Sequence, residues 1–255
     1  MLGQQVSMDC LPSKGRTYPT DIEIWVAPLN VGDQIEMDRY GVTQAEYYSK
    51  VLEGITIKGN PDFDKNNLFF HDVQLLDLVR RIYTDEPGEK VVTDKYPCMY
   101  DDCIGTIDYE FTLDQLTFTD FKENIFGKTF TFSDGLNVTV SPVKVGKYIA
   151  LCRQYFSNKQ GSASDMYFAY LAATVEEIFD VDEEGKKLPR GFDEKTNAQE
   201  KFLMDYFGKL YKRADKKVLL DIEQDTVSVV EPFEVVCPKC GRMTEVIITP
   251  TTTFQ

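Results

Sequence analysis

The sequence predicts an α+β protein whose cysteines form a discontinuous, zinc-ribbon-like four-cysteine module. Alternating apolar and polar residues predict strands, apolar residues three or four positions apart predict helices, and two pairs of closely spaced cysteines predict the module. We divide the chain into a β-rich domain over residues 1–150, a helical region over 151–226 and a strand pair over 227–255. The first cysteine pair falls in the first part and the second pair in the last, so the ribbon would enclose the helical region.

The first part is predicted to begin with a strand and two helices. Alternate apolar residues predict a strand over residues 22–29. Residues 43–52 are predicted to form a helix with Thr43 as its N-cap. Apolar residues recur at helical spacing over residues 72–83, and we expect Asp72 to cap the start of that helix.

Two further segments predict β-structure. Apolar and polar residues alternate over residues 106–113, which predicts a strand with one buried and one exposed face. Farther along, an Asp-Gly turn at Asp134 and Gly135 separates the alternating segments 129–132 and 136–140. Asp-Gly between such segments predicts a hairpin.

The second half is predicted to be mostly helical. Residues 164–179 have the pattern of one strong helix with Ser164 as its N-cap, and a charged linker rich in helix breakers follows over residues 182–189. The remaining predicted elements are helices over 197–211 and 214–223, and strands over 227–236 and 244–249.

The two cysteine pairs are the strongest signal in the sequence. Four residues separate Cys98 from Cys103, while Cys237 and Cys240 lie in a Cys-Pro-x-Cys-Gly segment typical of a zinc knuckle. Each pair follows an apolar strand and precedes an alternating one, as in a zinc ribbon. Gly241 supplies the positive φ that a knuckle needs. We therefore predict that these four thiolates bind Zn²⁺.

Other interpretations of the cysteines stay open. They include free thiols, weak metal binding by one pair, and a thioredoxin-type redox motif at Cys237 and Cys240. A redox motif should open a helix, whereas β-rich residues follow here. Four thiolates leave no open position for water or substrate, so the zinc is predicted to be structural. Cys10 and Cys152 lack partners at ligand spacing and are interpreted as small apolar residues.

The composition favours a protein partner over nucleic acid or membrane. The 255 residues include 42 Asp or Glu against 28 Lys or Arg, a formal net charge of -14. Such a surface repels phosphate backbones and anionic membranes, whereas a partner with a basic face complements it. No apolar segment approaches the roughly 20 residues that span a bilayer. The N-terminus has no signal-peptide pattern, so we expect a cytoplasmic protein with reduced cysteines.

Catalytic signals are weak, and we predict that the protein is not an enzyme. His71 is the only histidine, and we interpret it as a helix-start residue with a local hydrogen bond, with a general base as the less favoured alternative. The sequence contains no phosphate-binding glycine loop and no Gly-x-Ser-x-Gly motif. A hydrolase that uses acidic residues has no motif behind it.

Several short motifs resemble the hub assembly proteins of contractile-tailed (T4-like) phage baseplates. They are Leu11-Pro12-Ser13-Lys14-Gly15 with Tyr18-Pro19, the strand that ends in Ala27-Pro28-Leu29, the helix over 75–81, the knuckle and strand over 98–113, and Cys237-Pro238-Lys239-Cys240-Gly241 followed by Phe254. The first knuckle departs from this family because it is not Cys-Pro-x-Cys.

The resemblance implies a non-enzymatic role in building or completing the hub at the tip of a contractile tail. The partners would be other phage baseplate or tail proteins, and homo-oligomerisation within a symmetric assembly is a further expectation. The location would be the virion or the host cytoplasm during assembly. The alternative is a zinc-ribbon nucleic-acid-associated factor that uses the five Lys or Arg residues of segment 209–217, although a solvated surface is the favoured interpretation of that segment.

Overall fold

The computed structural model describes residues 3–37, 39, 42–82, 91–111, 118–156, 163–192, 198–228 and 231–246. Up to residue 156 the strands are β1 (Gln4–Val6), β2 (Glu23–Val26), β3 (Ile55–Lys58), β4 (Val91–Pro97), β5 (Thr106–Phe111), β6 (Lys128–Thr131) and β7 (Asn137–Val140). The α-helices of this part are α1 (Val31–Met37), α2 (Gln44–Glu53), α3 (Phe70–Ile82) and α4 (Val145–Phe156), with short 3-10 turns at Met8–Cys10 and Lys65–Asn67.

Helices and strands also alternate in the rest of the chain. The helices are α5 (Ala163–Thr174), α6 (Ala198–Gly208) and α7 (Arg213–Thr226), and the strands are β8 (Val175–Val181), β9 (Lys187–Pro189), β10 (Phe233–Val236) and β11 (Met243–Val246). The fold is therefore mixed α+β, as predicted. In the described part of residues 1–150 there are four α-helices, α1 to α4, and α4 crosses residue 150. The finer division of the chain at residues 150 and 226 stays a prediction.

The strands of the described residues form four antiparallel sheets. Their orders are β1-β2-β3, β6-β7-β8-β9, and the two hairpins β4-β5 and β10-β11. The main core draws buried apolar side chains from residues as far apart as Val6 and Ile222. A second, smaller cluster joins Leu78 and Val246 with aromatic side chains of the two hairpins.

Helix α3 contributes side chains to both of these clusters. Leu76 is fully buried in the main core, and Leu78, two positions later, is fully buried in the smaller cluster. Residues two apart on a helix point in different directions, so one helix contributes to both clusters. The two hairpins are thereby positioned against the body of the protein.

Several local predictions are confirmed. Thr43 caps α2 in a full capping box, in which its side chain accepts from the Glu46 amide and the Glu46 carboxylate accepts from the Thr43 amide. The Asp-Gly turn joins β6 to β7, with Gly135 at φ 91°. Parts of other predicted elements lie outside the described residues, namely positions 83, 112–113, 197, 229–230 and 247–249, and so does Phe254.

The prediction that Asp72 caps its helix is wrong. Helix α3 begins at Phe70, so Asp72 lies within the first turn rather than before it. Its side chain is fully buried and accepts hydrogen bonds from the backbone amide and hydroxyl of Ser13 and from the hydroxyl of Tyr18. A distant loop, rather than the helix itself, therefore satisfies this carboxylate.

The prediction of one helix over residues 164–179 is also wrong. Helix α5 ends at Thr174, and the chain continues directly as β8, whose Ile178 pairs with Val138 of β7. Val175 and Ile178 are fully buried, and β-branched side chains suit a strand. The predicted cap, Ser164, lies inside α5, and the predicted linker contains the short strand β9.

Candidate metal centre

Two antiparallel hairpins hold the four predicted cysteine ligands. Strands β4 and β5 flank Cys98 and Cys103, and strands β10 and β11 flank Cys237 and Cys240. The backbone closes each turn, because Cys98 donates to the Gly105 carbonyl at 2.9 Å and Cys237 donates to the Arg242 carbonyl at 2.9 Å. Each cysteine pair is thus fixed by a hairpin of its own, as in the predicted knuckles.

The structure brings all four sulfur atoms together. They lie within 4.8 Å of one another, and the separations across the two hairpins are 3.8 Å for Cys98 Sγ to Cys240 Sγ and 3.9 Å for Cys103 Sγ to Cys237 Sγ. A tetrahedral zinc with Zn–S bonds of about 2.3 Å has sulfur atoms about 3.8 Å apart. The donor set and its spacing therefore fit a tetrahedral four-thiolate zinc site.

Two glycines shape the site: Gly241 allows the turn of the second knuckle, and Gly105 leaves room for the sulfur atoms. Gly241 has φ 70°, which glycine adopts without strain, and its amide donates to the Cys237 carbonyl at 2.9 Å. At Gly105, a Cβ atom would lie 2.9 Å from Cys237 Sγ and 3.1 Å from Cys103 Sγ. Glycine at position 105 thus lets the second knuckle approach the first, and its amide also donates to Cys103 Sγ at 3.3 Å.

Side chains around the sulfur cluster also join the two hairpins. The rings of Tyr109 and Phe233 pack with centroids 5.0 Å apart. At the outer end, the Arg242 guanidinium donates to the Asp102 carboxylate and lies 4.0 Å from the centroid of the Tyr100 ring. These contacts fix the angle between the hairpins, which metal ligation alone would leave less constrained.

The surroundings shift the pKa values of the thiols in different directions. The Thr244 hydroxyl, 3.4 Å from Cys98 Sγ, lowers the pKa of Cys98, and hydrogen bonds from Arg242 lower that of Cys240 to about 6. The Gly105 amide favours the Cys103 thiolate, but burial and the three neighbouring thiols outweigh it and raise the pKa of Cys103 to about 11. Such crowding favours a divalent cation, because the bound metal replaces the remaining thiol protons.

Thr244 and Arg242 support the site but were not predicted from the sequence. Thr244 is buried beside Cys98, and Arg242 belongs to the turn that follows Cys240. Their positions two to four residues after Cys240 are the only sequence signal, since a ligand is commonly supported by hydrogen bonds from its own turn. The Asp102 partner of Arg242 comes from the other hairpin, which sequence spacing does not reveal.

The remaining predicted residues lie away from this cluster. His71 is in the first turn of α3, only 4% exposed, among the rings of Phe70, Phe121 and Tyr170. Its Nδ1 has no hydrogen-bond partner among the described residues, and burial lowers its pKa to about 3.

The structure separates the two unpaired cysteines. Cys152 is buried on α4, as its interpretation as a small apolar residue requires, whereas Cys10 is exposed and that interpretation is wrong for it. Cys10 is the last residue of the short 3-10 turn Met8–Cys10, and its side chain is exposed there.

Comparison with known proteins adds no family to this description: no protein-family model, curated protein or solved structure matches the chain. Among the described residues, no helix has the length and apolar character needed to cross a bilayer.

Proposed function

We propose that this protein is a non-enzymatic structural or assembly component of a contractile phage tail baseplate, stapled by a structural zinc ion. The observation that carries the proposal is the sulfur cluster, in which each hairpin supplies two thiols at the separations that a tetrahedral zinc requires. The resemblance of the Leu11–Pro19 segment and of the knuckles to baseplate hub proteins supports the choice of assembly.

Zinc at this position would act as a cross-link between distant parts of the chain. The first knuckle ends at Cys103 and the second begins at Cys237, so the segment between them is enclosed. Closing a long segment removes conformational entropy from the unfolded chain, and structural zinc contributes its binding free energy to folding. Four thiolates saturate the ion, which favours a structural over a catalytic role.

The surroundings of His71 support a non-enzymatic role. A general base has to reach substrate and to exchange protons near the working pH. His71 is almost fully buried, and burial lowers its pKa to about 3, far below that range. Its ring packs edge-on against Phe70, Phe121 and Tyr170, as expected for a core residue.

The segment that carries the family resemblance is a packed structural element. Leu11 and Ser13 are fully buried, and Arg16 donates to the Phe121 carbonyl from the loop that follows. Such packing fits a motif that builds the fold rather than one that takes part in a reaction. The resemblance therefore supports membership in an assembly without requiring chemistry.

The assembly role is tested by inactivating the gene in the phage that encodes this chain and examining the lysate by electron microscopy. The proposal predicts heads without complete contractile tails, and restoration of tails when the wild-type chain is supplied in trans. A Cys237→Ser/Cys240→Ser chain should fail to restore them, whereas Cys10→Ser should succeed. Complete, infective tails without the chain would refute the proposal.

One observation favours the second candidate, a nucleic-acid-associated factor. Segment 209–217 carries five exposed basic side chains, Lys209, Lys212, Arg213, Lys216 and Lys217. That hypothesis predicts binding to DNA or RNA at low salt, with an affinity that falls steeply as salt rises. A filter-binding titration with single- and double-stranded oligonucleotides separates the two candidates, and no binding at low salt would remove this one.

A further inference from the structure

The outward face of the second hairpin has an unusual pattern. Val236 of β10 lies opposite Met243 of β11, and both side chains are about half exposed, at 55% and 46%. The next pair on the same face is Glu234 opposite Glu245, and both glutamates are exposed. We call these four residues the ribbon face. It consists of an apolar pair beside an acidic pair.

It is energetically unfavourable to leave the ribbon face exposed to water. Like charges directly opposite each other on neighbouring strands destabilise the pair, and an exposed apolar pair is left in water. Neither glutamate forms an ion pair with a residue that the structure describes, and the nearby Arg242 is committed to Asp102 and the Tyr100 ring. A partner with apolar side chains and several cations would relieve both costs.

The chain itself carries a surface of that kind. The turn from α6 to α7 presents Tyr211, 80% exposed, and the middle of α7 presents Leu220, 51% exposed. Around them lie the five basic side chains of segment 209–217, none of which forms an ion pair with a described residue. We call this surface the basic corner. In a chain of net charge -14, it concentrates five of the 28 basic residues within nine positions.

We propose that the ribbon face of one copy binds the basic corner of a second copy. Glu234 and Glu245 would meet the cations, while Val236 and Met243 would pack against Tyr211 or Leu220. The contact is head-to-tail, because each copy offers two different surfaces. Repeating it builds a closed ring or an open chain, so association continues beyond a dimer. This inference goes beyond the proposed function, although it requires a folded ribbon.

A second copy of the chain would complement both the ribbon face and the basic corner, whereas nucleic acid would complement only the basic corner. A phosphate backbone would neutralise the basic corner but would repel the acidic ribbon face. The overall charge of -14 opposes the approach of two copies, but charges farther apart than about 8 Å are largely screened at physiological salt. Pairing at the contact itself is short-ranged and survives this screening.

Two charge-reversed chains test the proposal by sedimentation velocity over a wide range of protein concentration. The face variant is Glu234→Lys/Glu245→Lys, which keeps a like-charge pair and therefore leaves the hairpin with a similar internal cost. The corner variant is Lys212→Glu/Lys216→Glu, which places carboxylates at the start of α7, where they suit the helix dipole. Both variants are therefore expected to fold, which circular dichroism and zinc content verify.

The expected pattern is specific to a head-to-tail contact. Wild type associates beyond a dimer as concentration rises, and each variant alone associates at least about tenfold more weakly. An equimolar mixture of the two variants associates more strongly than either variant alone, because each supplies the surface that the other lacks. The control Glu183→Lys/Glu184→Lys makes the same charge change on the exposed β8–β9 turn and should associate like wild type.

Three results would overturn the proposed contact between copies. A zinc-loaded wild-type chain that stays monomeric overturns this proposal, and so does a mixture that stays monomeric. Binding of an oligonucleotide at the basic corner without self-association also overturns it. A chain that associates through these surfaces but contains no zinc contradicts the structural zinc and leaves this contact standing.

Discussion

The hydroxyl of Ser13 donates a 2.5 Å hydrogen bond to the carboxylate of Asp72, 59 positions away in the chain. Tyr18 donates to the same carboxylate at 2.7 Å and accepts from the Phe69 amide at 2.7 Å. The loop that carries these donors contains two non-glycine residues with left-handed φ, one of which is Thr17 at 72°. Asp72 therefore holds a conformationally costly loop against the start of α3.

Asp72 should make stability depend on pH in an unusual direction. Burial raises its pKa from 3.8 to about 6, so the folded protein binds a proton that the unfolded chain has already released in this range. Stability contributed by this group is therefore greatest below about pH 4 and is lost as pH rises to about 6. The change should be at most about 3 kcal/mol.

Urea unfolding of wild type and Asp72→Asn at pH values from 4 to 7 measures this effect. The difference in free energy of unfolding between the two chains removes the contributions of the other carboxylates. It should shift in favour of the variant as pH rises from about 4 to 6 and then level off. If the difference in free energy of unfolding between the two chains does not change between pH 4 and 6, the raised pKa of Asp72 is contradicted.

Gly54 should not tolerate alanine, although its φ of -81° is ordinary. A methyl group there would overlap the guanidinium carbon of the buried Arg80, which donates to the carbonyls of Ala27 at 2.9 Å and Val51 at 3.1 Å. Moving Arg80 aside leaves those bonds unmade, so Gly54→Ala should lose about 2–3 kcal/mol in chemical denaturation. Gly191→Ala, which meets open space, is the control and should change stability little. Equal free energies of unfolding for Gly54→Ala and wild type would contradict this prediction, because they would show that Arg80 can move aside without loss of stability.

Thr244→Val should weaken zinc binding without unfolding the ribbon. The substitution keeps the shape of the buried side chain but removes the hydroxyl that lies 3.4 Å from Cys98 Sγ. Loss of a hydrogen bond to a ligand typically lowers metal affinity about 10-fold or more. Competition with a chromophoric chelator measures the affinity, and Thr106→Val, on the exposed side of β5, is the control. An unchanged affinity would exclude a supporting role for Thr244.

The sequence predicted what local chemistry determines. The Thr43 capping box, the Asp-Gly hairpin and the four cysteines each depend on residues close in sequence, and the structure confirms the cap, the hairpin and the grouping of the cysteines. The errors arose where distant contacts decide. Residues 164–179 are apolar enough for a helix, but pairing with β7 converts their last part into β8. From the sequence alone Asp72 looks like a helix cap, because Ser13 and Tyr18, which donate to its carboxylate, are distant in the chain and come close only in the folded structure.

The same limit applies to the metal site. The pattern of cysteines predicts the four sulfur donors, since each knuckle is a local motif. It does not predict that Gly105 leaves room for Cys237, or that Arg242 reaches Asp102 across the two hairpins. Those contacts depend on how two segments more than a hundred residues apart are packed against α3.

The zinc and iron content of the purified full-length chain tests the central claim most directly. Elemental analysis by mass spectrometry should find one zinc per chain and no iron, and alkylation of the native protein should spare the four clustered cysteines while it labels Cys10. Cys240→Ser should lose the stoichiometric zinc and melt at a lower temperature, whereas Cys10→Ser should keep both. A folded wild-type chain with no zinc and with reactive thiols at positions 98, 103, 237 and 240 would contradict the structural zinc site.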